Sequence, residues 1–361
     1  MNDASPQRQG ARPDFAVVGI GASAGGLEAL HDLLRDARRE DPAAYVVIQH
    51  LDPTHDSVLA ELLDRRTALS VMQATDGTVL RPGHVYTIPP GARMLISDGQ
   101  LHLTDFDQPR GLRRPIDDFF ESLAQDRGPA AACVILSGTG ADGTLGLRAV
   151  KERGGICVIQ EPRTARYDGM PLSAESTGLV DYVLPPDRIV PAILQFFDSG
   201  DLDVAEDRML ADARHICQHL LEHCGHDFSG YKMSTLVRRI RRRLQVLNIA
   251  DSGAYLEHLK QHSDECELLL NEFLINVTRF FRDPELFQTL REQAIRPMVA
   301  AADGEELRVW VAGCSSGEEA YSVAMLIDTE MRAAGLRPRF TVFASDIDKK
   351  MIEIARAGTY P

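Results

Sequence analysis

The apolar run FAVVGIG, Phe15 to Gly21, passes straight into the glycine turn Ala22-Ser23-Ala24-Gly25-Gly26 and then into the amphipathic stretch LEALHDLLRDA. A β-rich run, a tight turn and a helical pattern in that order make one βα unit, which buries its strand in a parallel sheet. The alternation recurs to about Pro186 through YVVIQH, SVLAELLDRR, DDFFESLAQDRG, AACVILSG, GLRAVKERGG and ICVIQEP. The middle portion GHVYTIPPGARMLISDGQLHLTDF alternates apolar and polar residues around Pro-Gly and Asp-Gly turns, so an added antiparallel hairpin is expected there.

The acidic stretch SGDLDVAED has no periodic apolar residue and reads as a linker. From about Arg208 to Thr278 the pattern is helical throughout. The strand ELRVWVAGC, the helix EEAYSVAMLIDTEMRAAG, the strand RFTVFASDID and the helix KMIEIARAG then return to α/β. At roughly 150 residues per domain, 361 residues allow two to three domains. The expected borders are 14–197, 207–275 and 276–361.

With 39 basic and 53 acidic residues the net charge is −14, which argues against a nucleic-acid partner. Six cysteines without a CxxC pair read as reduced thiols. No apolar run approaches the roughly 18 residues of a membrane helix, and the polar start MNDASPQRQGARPD lacks a signal-peptide core. The expectation is a cytoplasmic protein without membrane insertion.

Gly21-Ala22-Ser23-Ala24-Gly25 fits a G-x-S-x-G elbow between strand and helix, which presents a serine hydroxyl at a sharp turn. The competing reading is a dinucleotide loop, since Gly19-Ile20-Gly21 with Gly25 loosely matches G-x-G-x-x-G. That site needs an acidic residue at the end of the second strand, but YVVIQH ends in His50, where a general base for Ser23 can stand. The third member is expected to be Asp142, which follows an apolar strand into a glycine loop. Asp52, Asp56 and Asp117 compete by residue type, and His31, His55 and His84 read as surface or helix-face histidines.

Together, IGASAGG, IQH, PPGARM, RPIDDFF, LSGTGADG and YDGMP resemble the chemotaxis methylesterase (CheB-type) catalytic domain over nearly all of residues 14–195. The resemblance implies hydrolysis of glutamate methyl esters on chemoreceptors without a cofactor, with Ser23 as nucleophile, His50 as base and Asp142 orienting the histidine. Thr139 stands where the family often carries a methionine, and no preceding receiver domain is expected.

His215, Cys217, His219, His223, Cys224 and His226 invite a metal reading, but no matching ligand cluster accompanies them and a helix surface is expected, with no metal. In LVRRIRRRLQVL, Arg238, Arg239, Arg241, Arg242 and Arg243 accompany an apolar side of Leu236, Val237, Ile240, Leu244 and Val246. This stripe reads either as a solvated basic face or as a dock for an acidic partner. After RVWVAGC, the loop Ser315-Ser316-Gly317-Glu318-Glu319 opens a helix, and the next strand ends in Asp346. That pattern suits a ribose-bearing ligand, either nicotinamide or S-adenosylmethionine (SAM).

FLINVTRFFRD, VWVAGCSSGEEAYS, FASDID and ARAGTYP resemble the chemotaxis receptor methyltransferase (CheR-type) from about Arg208 onward. That resemblance implies SAM as cofactor, with Asn276, Thr278 and Arg282 lining the pocket, Glu318 or Glu319 contacting the cofactor and Asp346 holding its ribose. It also implies that the helical segment with its Arg stripe meets acidic, glutamate-bearing receptor helices. The expected architecture is a parallel-sheet α/β methylesterase domain, an all-α subdomain and a Rossmann-like SAM methyltransferase domain. The last is expected to be incomplete after its second βα unit, with further domains beyond Pro361. Two rival functions remain: a signalling scaffold with one or both sites inactive, and a nucleotide-dependent oxidoreductase.

Overall fold

The computed structural model describes residues 15–50, 58–106, 108–198, 206–274, 278–302 and 306–360. The chain divides into two compact units, one ending at Phe273 and one beginning at Leu274.

The first unit is built on a parallel sheet of seven strands in the order β10-β9-β8-β1-β2-β5-β3. In chain order they are β1 (Ala16–Ala22), β2 (Ala43–Gln49), β3 (Ser70–Gln73), β5 (His84–Thr87), β8 (Ala131–Ile135), β9 (Ile156–Gln160) and β10 (Tyr182–Leu184). All seven residues of β1 are buried, as a strand covered on both faces requires. The helices of this domain are α1 (Gly26–Leu34), α2 (Leu59–Asp64), α3 (Pro115–Arg127), α4 (Thr144–Glu152), α5 (Gly169–Glu175) and α6 (Pro186–Asp198).

Alternate side chains of β1 enter two cores. Val18 and Ile20 pack with Leu30 and Leu33 of α1 and Ile189 and Ile193 of α6. Val17 lies on the opposite face with Phe119 and Phe120 of α3 and Leu147 of α4. On that face β1 carries glycine: a Cβ on Gly21 would lie 2.5 Å from Cγ2 of Ile116, so the bare backbone is what lets the start of α3 settle against the sheet.

The expected hairpin is only part of its segment. His84–Thr87 instead joins the parallel sheet between β2 and β3. Three consecutive residues of this strand, Val85, Tyr86 and Thr87, are buried, as a strand inside a covered sheet requires. The antiparallel element is β6 (Arg93–Ser97) with β7 (Gln100–Thr104), turned at Asp98-Gly99 with φ of 51° and 73°, and β4 (Thr78–Val79) extends it.

Four helices complete the first unit: α7 (Glu206–Cys224), α8 (Met233–Leu247), α9 (Ser252–Gln261) and α10 (Ser263–Phe273). The second unit contains α11 (Pro284–Leu290), α12 (Arg296–Ala301), β11 (Leu307–Ala312), α13 (Glu318–Ala333), β12 (Phe340–Ser345) and α14 (Lys349–Ala357), with β11 and β12 paired in parallel. Among the described residues, no helix is long and apolar enough to cross a membrane.

Three arginines of the stripe are not free to dock the acidic partner expected there. Arg239, Arg242 and Arg243 are buried, and their counter-charges lie in this same chain. Arg242 donates from Nη2 to Asp181 Oδ2 (2.5 Å) and to the carbonyl of Gly155 (2.7 Å), and from Nη1 to Glu272 Oε2 (3.0 Å). Lys151 of α4 bridges the same two carboxylates at 2.7 and 2.8 Å. Arg239 reaches Glu272, and Arg243 meets Glu265 at 2.6 Å, while Arg238 is exposed. Spacing along one helix cannot show that the partners sit at residues 155, 181 and 272.

Burial alone would raise the Asp181 and Glu272 carboxyls, yet Arg242 and Lys151 outweigh it and hold both below the ordinary carboxylate range. Depressed carboxyls stabilise above their unfolded pKa of about 4, and that contribution fades as pH falls below it. Removing one member of a buried cluster strands the others: Arg242→Ala is expected to cost about 3–5 kcal/mol in urea unfolding at neutral pH. Arg238→Ala, at an exposed site, is expected to stay within about 0.5 kcal/mol.

Candidate active site

Three loops at the carboxyl edge of the large sheet bring Ser23, His50 and Asp142 together. Ser23 stands in the turn after β1, where its backbone N–H donates to Ser137 O at 3.0 Å. Gly25 closes the turn at φ 73°, and a Cβ there would lie 2.8 Å from Cβ of Arg166. His50 follows β2 and places Nδ1 3.3 Å from Ser23 Oγ and Nε2 2.9 Å from Asp142 Oδ2. A carboxylate only accepts, so in the neutral imidazole the proton sits on Nε2 and the bare Nδ1 faces the Ser23 hydroxyl.

Asp142, in the glycine loop after β8, is largely buried, with a side chain 9% exposed. Its charge is met by the first amides of α3: Ile116 N–H donates to Oδ2 at 3.1 Å and Asp117 N–H to Oδ1 at 3.0 Å. A helix N-terminus is a favourable place for an anion, and Pro115 at the first turn gives up no useful N–H. Asp117 therefore belongs beside Asp142 rather than under His50. Asp52, Asp56 and His55 lie outside the described residues, while His84 bonds the Pro82 carbonyl.

Several supporting residues escaped the sequence reading. Ser137 Oγ donates to Ala24 O (2.9 Å) and receives the Tyr167 N–H (3.0 Å), and Ser137 N–H donates to Gln160 Oε1 (2.9 Å). One serine thus ties the elbow to β9 and to the YDGMP segment. Met170 of that segment fills the floor: a Cβ on Gly138 would lie 2.1 Å from its Sδ and 2.9 Å from Cβ of Ser23. Thr139 is exposed at the rim. The signal that could have found these was the glycine spacing of LSGTGADG, which marks close backbone approach without saying to what.

In the second unit, the loop from Gly313 to Gly317 lies across the end of β12. The N–H groups of Gly313 and Cys314 both donate to Ser345 O, at 2.7 and 3.0 Å. Asp346 Oδ2 accepts from Ser315 N–H (2.7 Å) and Oδ1 from Asp348 N–H (2.9 Å), so the carboxylate braces the loop. Glu318 is buried and accepts from Ser316 Oγ (2.6 Å), whereas Glu319 is exposed. Thr278 and Arg282 lie in the segment before α11, which Phe281 N–H fastens to Ser322 Oγ of α13 (3.0 Å). Asn276 lies outside the described residues.

Tyr360, unremarked in the sequence, donates its hydroxyl to Ser316 O at 2.6 Å and sets its ring edge-on to Phe280. Burial first, and the Glu318 carboxylate second, push that phenol up to about 12. A pocket of about 320 Å³ beneath the loop is lined by Cys314, Tyr321, Val342, Ile352 and Arg356 among others. Ser315 Oγ is buried with no hydrogen-bond partner, and a Cβ on Gly313 would meet open space. An unpaired hydroxyl on an open, braced backbone loop fits a polar ligand approaching the main chain.

Comparison with known families gives three matches along the chain. Residues 18–193 match the CheB methylesterase, residues 211–274 the all-alpha domain of the CheR methyltransferase and residues 276–361 its SAM binding domain. An uncharacterized 104.1 kDa protein in the hypE 3′ region of Rhodobacter capsulatus is 40% identical over 329 residues, covering 84% of this chain and 34% of that protein. The protein-glutamate methylesterase/protein-glutamine glutaminase of Moorella thermoacetica is 40% identical over 190 residues, covering 51% of this chain and 45% of its own. The CheB methylesterase catalytic domain of Thermotoga maritima is 32% identical, with 50% of this chain and 97% of that one covered and a TM-score of 0.47. The chain thus spans half or less of the length of these two curated relatives. It belongs with the CheB and CheR families at once, carrying a CheB methylesterase domain followed by the all-alpha and SAM-binding domains of a CheR methyltransferase.

Proposed function

We propose that the chain hydrolyses glutamate methyl esters through Ser23, His50 and Asp142, and that its second unit methylates the same class of carboxylate. The observation that carries the esterase reading is the unbroken chain from Ser23 Oγ through His50 to Asp142, with contacts of 3.3 and 2.9 Å. Ser23 Oγ attacks the ester carbonyl as its proton passes to His50 Nδ1. The resulting imidazolium lies against the Asp142 carboxylate, which stabilises it without taking the proton. Amides at the turn into α1 would stabilise the carbonyl oxygen as it becomes anionic. His50 returns its proton to the departing methoxide, methanol leaves, and a water deprotonated by His50 cleaves the acyl-serine ester. Hydrolysis by this route needs no cofactor.

In the second unit the braced loop supports a SAM site. Asp346 follows the strand, Glu318 and Glu319 open α13, Thr278 and Arg282 lie in the segment before α11, and Asn276 belongs to that segment in sequence. Bound SAM would supply an electrophilic methyl group. A glutamate carboxylate is already ionised at neutral pH, so these residues need only bind and align, with Arg282 the cation assigned to orient a carboxylate. The partner class is an acidic, glutamate-bearing receptor segment. The buried arginines do not serve as its dock, which leaves Arg238 as the stripe's exposed charge.

Ser23→Ala is expected to abolish methanol release from a methylated receptor fragment while leaving the fold intact; undiminished release would sink the assignment. Gly138→Ala should displace Met170 and the nucleophile together and lower the hydrolysis rate by about 10²-fold, the effect typical of a roughly 1 Å misplacement. Asp346→Ala is expected to weaken SAM in an equilibrium titration. Tight NADH binding with no SAM binding would favour the oxidoreductase reading instead.

A further inference from the structure

Asp117 stands out among the groups that the proposed chemistry leaves unused. Its backbone N–H donates to Asp142 Oδ1 (3.0 Å), and the Asp142 carboxylate also acts on the Asp117 carboxyl. The residue is 3% exposed. One carboxyl oxygen, Oδ1, accepts from Gly146 N–H in the first turn of α4 at 2.8 Å. The other, Oδ2, is buried without a hydrogen-bond partner. The facing cation is Arg114, whose Nη1 is 3.8 Å from Oδ2, beyond hydrogen-bond reach, and the facing anion is Asp142.

Two carboxylates cannot both keep full charge in contact in a buried site. Asp142 has three N–H donors, from Ile116, Asp117 and His50, whereas the Asp117 carboxyl has one. The proton therefore belongs to Asp117, where it removes a buried charge that a single N–H donor meets. We propose that Asp117 is a positioning residue that works as a neutral acid: by holding a proton beside Asp142 it leaves that carboxylate the single anion behind His50, and on losing the proton it places a second charge there.

Burial first, then the Asp142 charge, push the Asp117 carboxyl up to about 7, which puts that loss within the working range of pH. A second anion behind His50 makes the imidazolium harder to deprotonate and alters the proton return to the leaving methoxide. Stability moves with the same proton. The folded state retains a proton that the unfolded chain releases near pH 4, so stability is greatest below that value and declines as pH rises toward about 7.

The functional part rests on the esterase reading of Ser23, His50 and Asp142, but the proton itself can be tested apart from it. In the full chain carrying Ser23→Ala, with ¹³C-labelled aspartate, one Cγ resonance is expected to titrate near pH 7 and to vanish on adding Asp117→Asn. An Asp117 resonance already ionised at pH 5 would overturn the proposal whether or not the protein hydrolyses esters. In the parent background, Asp117→Asn, a fixed neutral isostere, is expected to keep ester hydrolysis. It should remove an inflection near pH 7 from the kcat/KM profile and flatten the fall of urea midpoint between pH 4 and 7. An unchanged profile and an unchanged midpoint slope would overturn it too. Asp117→Ala strips the Gly146 N–H of its acceptor, so it should lower the urea midpoint at all pH values and mark the purely structural effect.

Discussion

Keeping Asp142 ionised in a nearly dry site is the requirement around which the first unit is arranged. A carboxylate with a 9% exposed side chain is costly unless its charge is met by donors. Here two of the donors are the leading amides of a 13-residue helix, Ile116 N–H and Asp117 N–H of α3. The site then depends on how closely α3 can lie against the sheet. Gly21 decides that, because any side chain there would strike Ile116. The glycines of the elbow thus serve two ends: Gly25 permits the turn that raises Ser23, and Gly21 makes room for the helix that charges the far end of the triad.

The second large commitment of charge lies at the other edge of the sheet. Gly155 immediately precedes β9 and Asp181 immediately precedes β10, so the cluster with Lys151, Arg242 and Glu272 is gathered at the amino edge, while Ser23, His50 and Asp142 stand at the carboxyl edge. Helix α8 and helix α10 are fastened to the α/β domain through this cluster, and Tyr182 reinforces it by donating its hydroxyl to the carbonyl of Val246. The helical bundle is therefore anchored to the α/β domain at the sheet edge opposite Ser23, His50 and Asp142. Buried ion clusters of this kind are poor sources of net stability but strong determinants of arrangement, since few alternative packings would satisfy all five groups at once.

The parts of this architecture legible in the sequence are those set by strand ends. Ser23, His50 and Asp142 could be read because a parallel sheet delivers the residues after its strands to one edge, and each follows an apolar run. What could not be read are contacts made by backbone amides and by remote counter-ions. Nothing in RPIDDFF says that its first two amides bind Asp142, and nothing in LVRRIRRRLQVL says that three of its arginines point inward. His84–Thr87 was misread for a related reason: four residues of alternating polarity suit a hairpin arm or a sheet strand equally, and pairing with β2 and β3 decides the matter.

The second unit shows how the same physics yields a different kind of site. In the first unit an acidic strand-end residue, Asp142, is satisfied so completely that it can only orient its histidine. Asp346 also follows its strand and also accepts backbone N–H groups, from Ser315 and Asp348, but it is half-buried and has only these two protein donors among those described. A carboxylate can accept about four hydrogen bonds, so capacity remains for hydroxyl groups of a ligand. Neighbouring Ser315 takes positive φ at 49° although it is not glycine, which turns its N–H onto Asp346 and leaves its hydroxyl buried and unpaired. Strain of this sort persists where surrounding contacts impose it, and here Tyr360 on Ser316 and Ser345 on Gly313 and Cys314 do so. The loop is thus held by Asp346, Ser345 and Tyr360, which all lie after it in the chain.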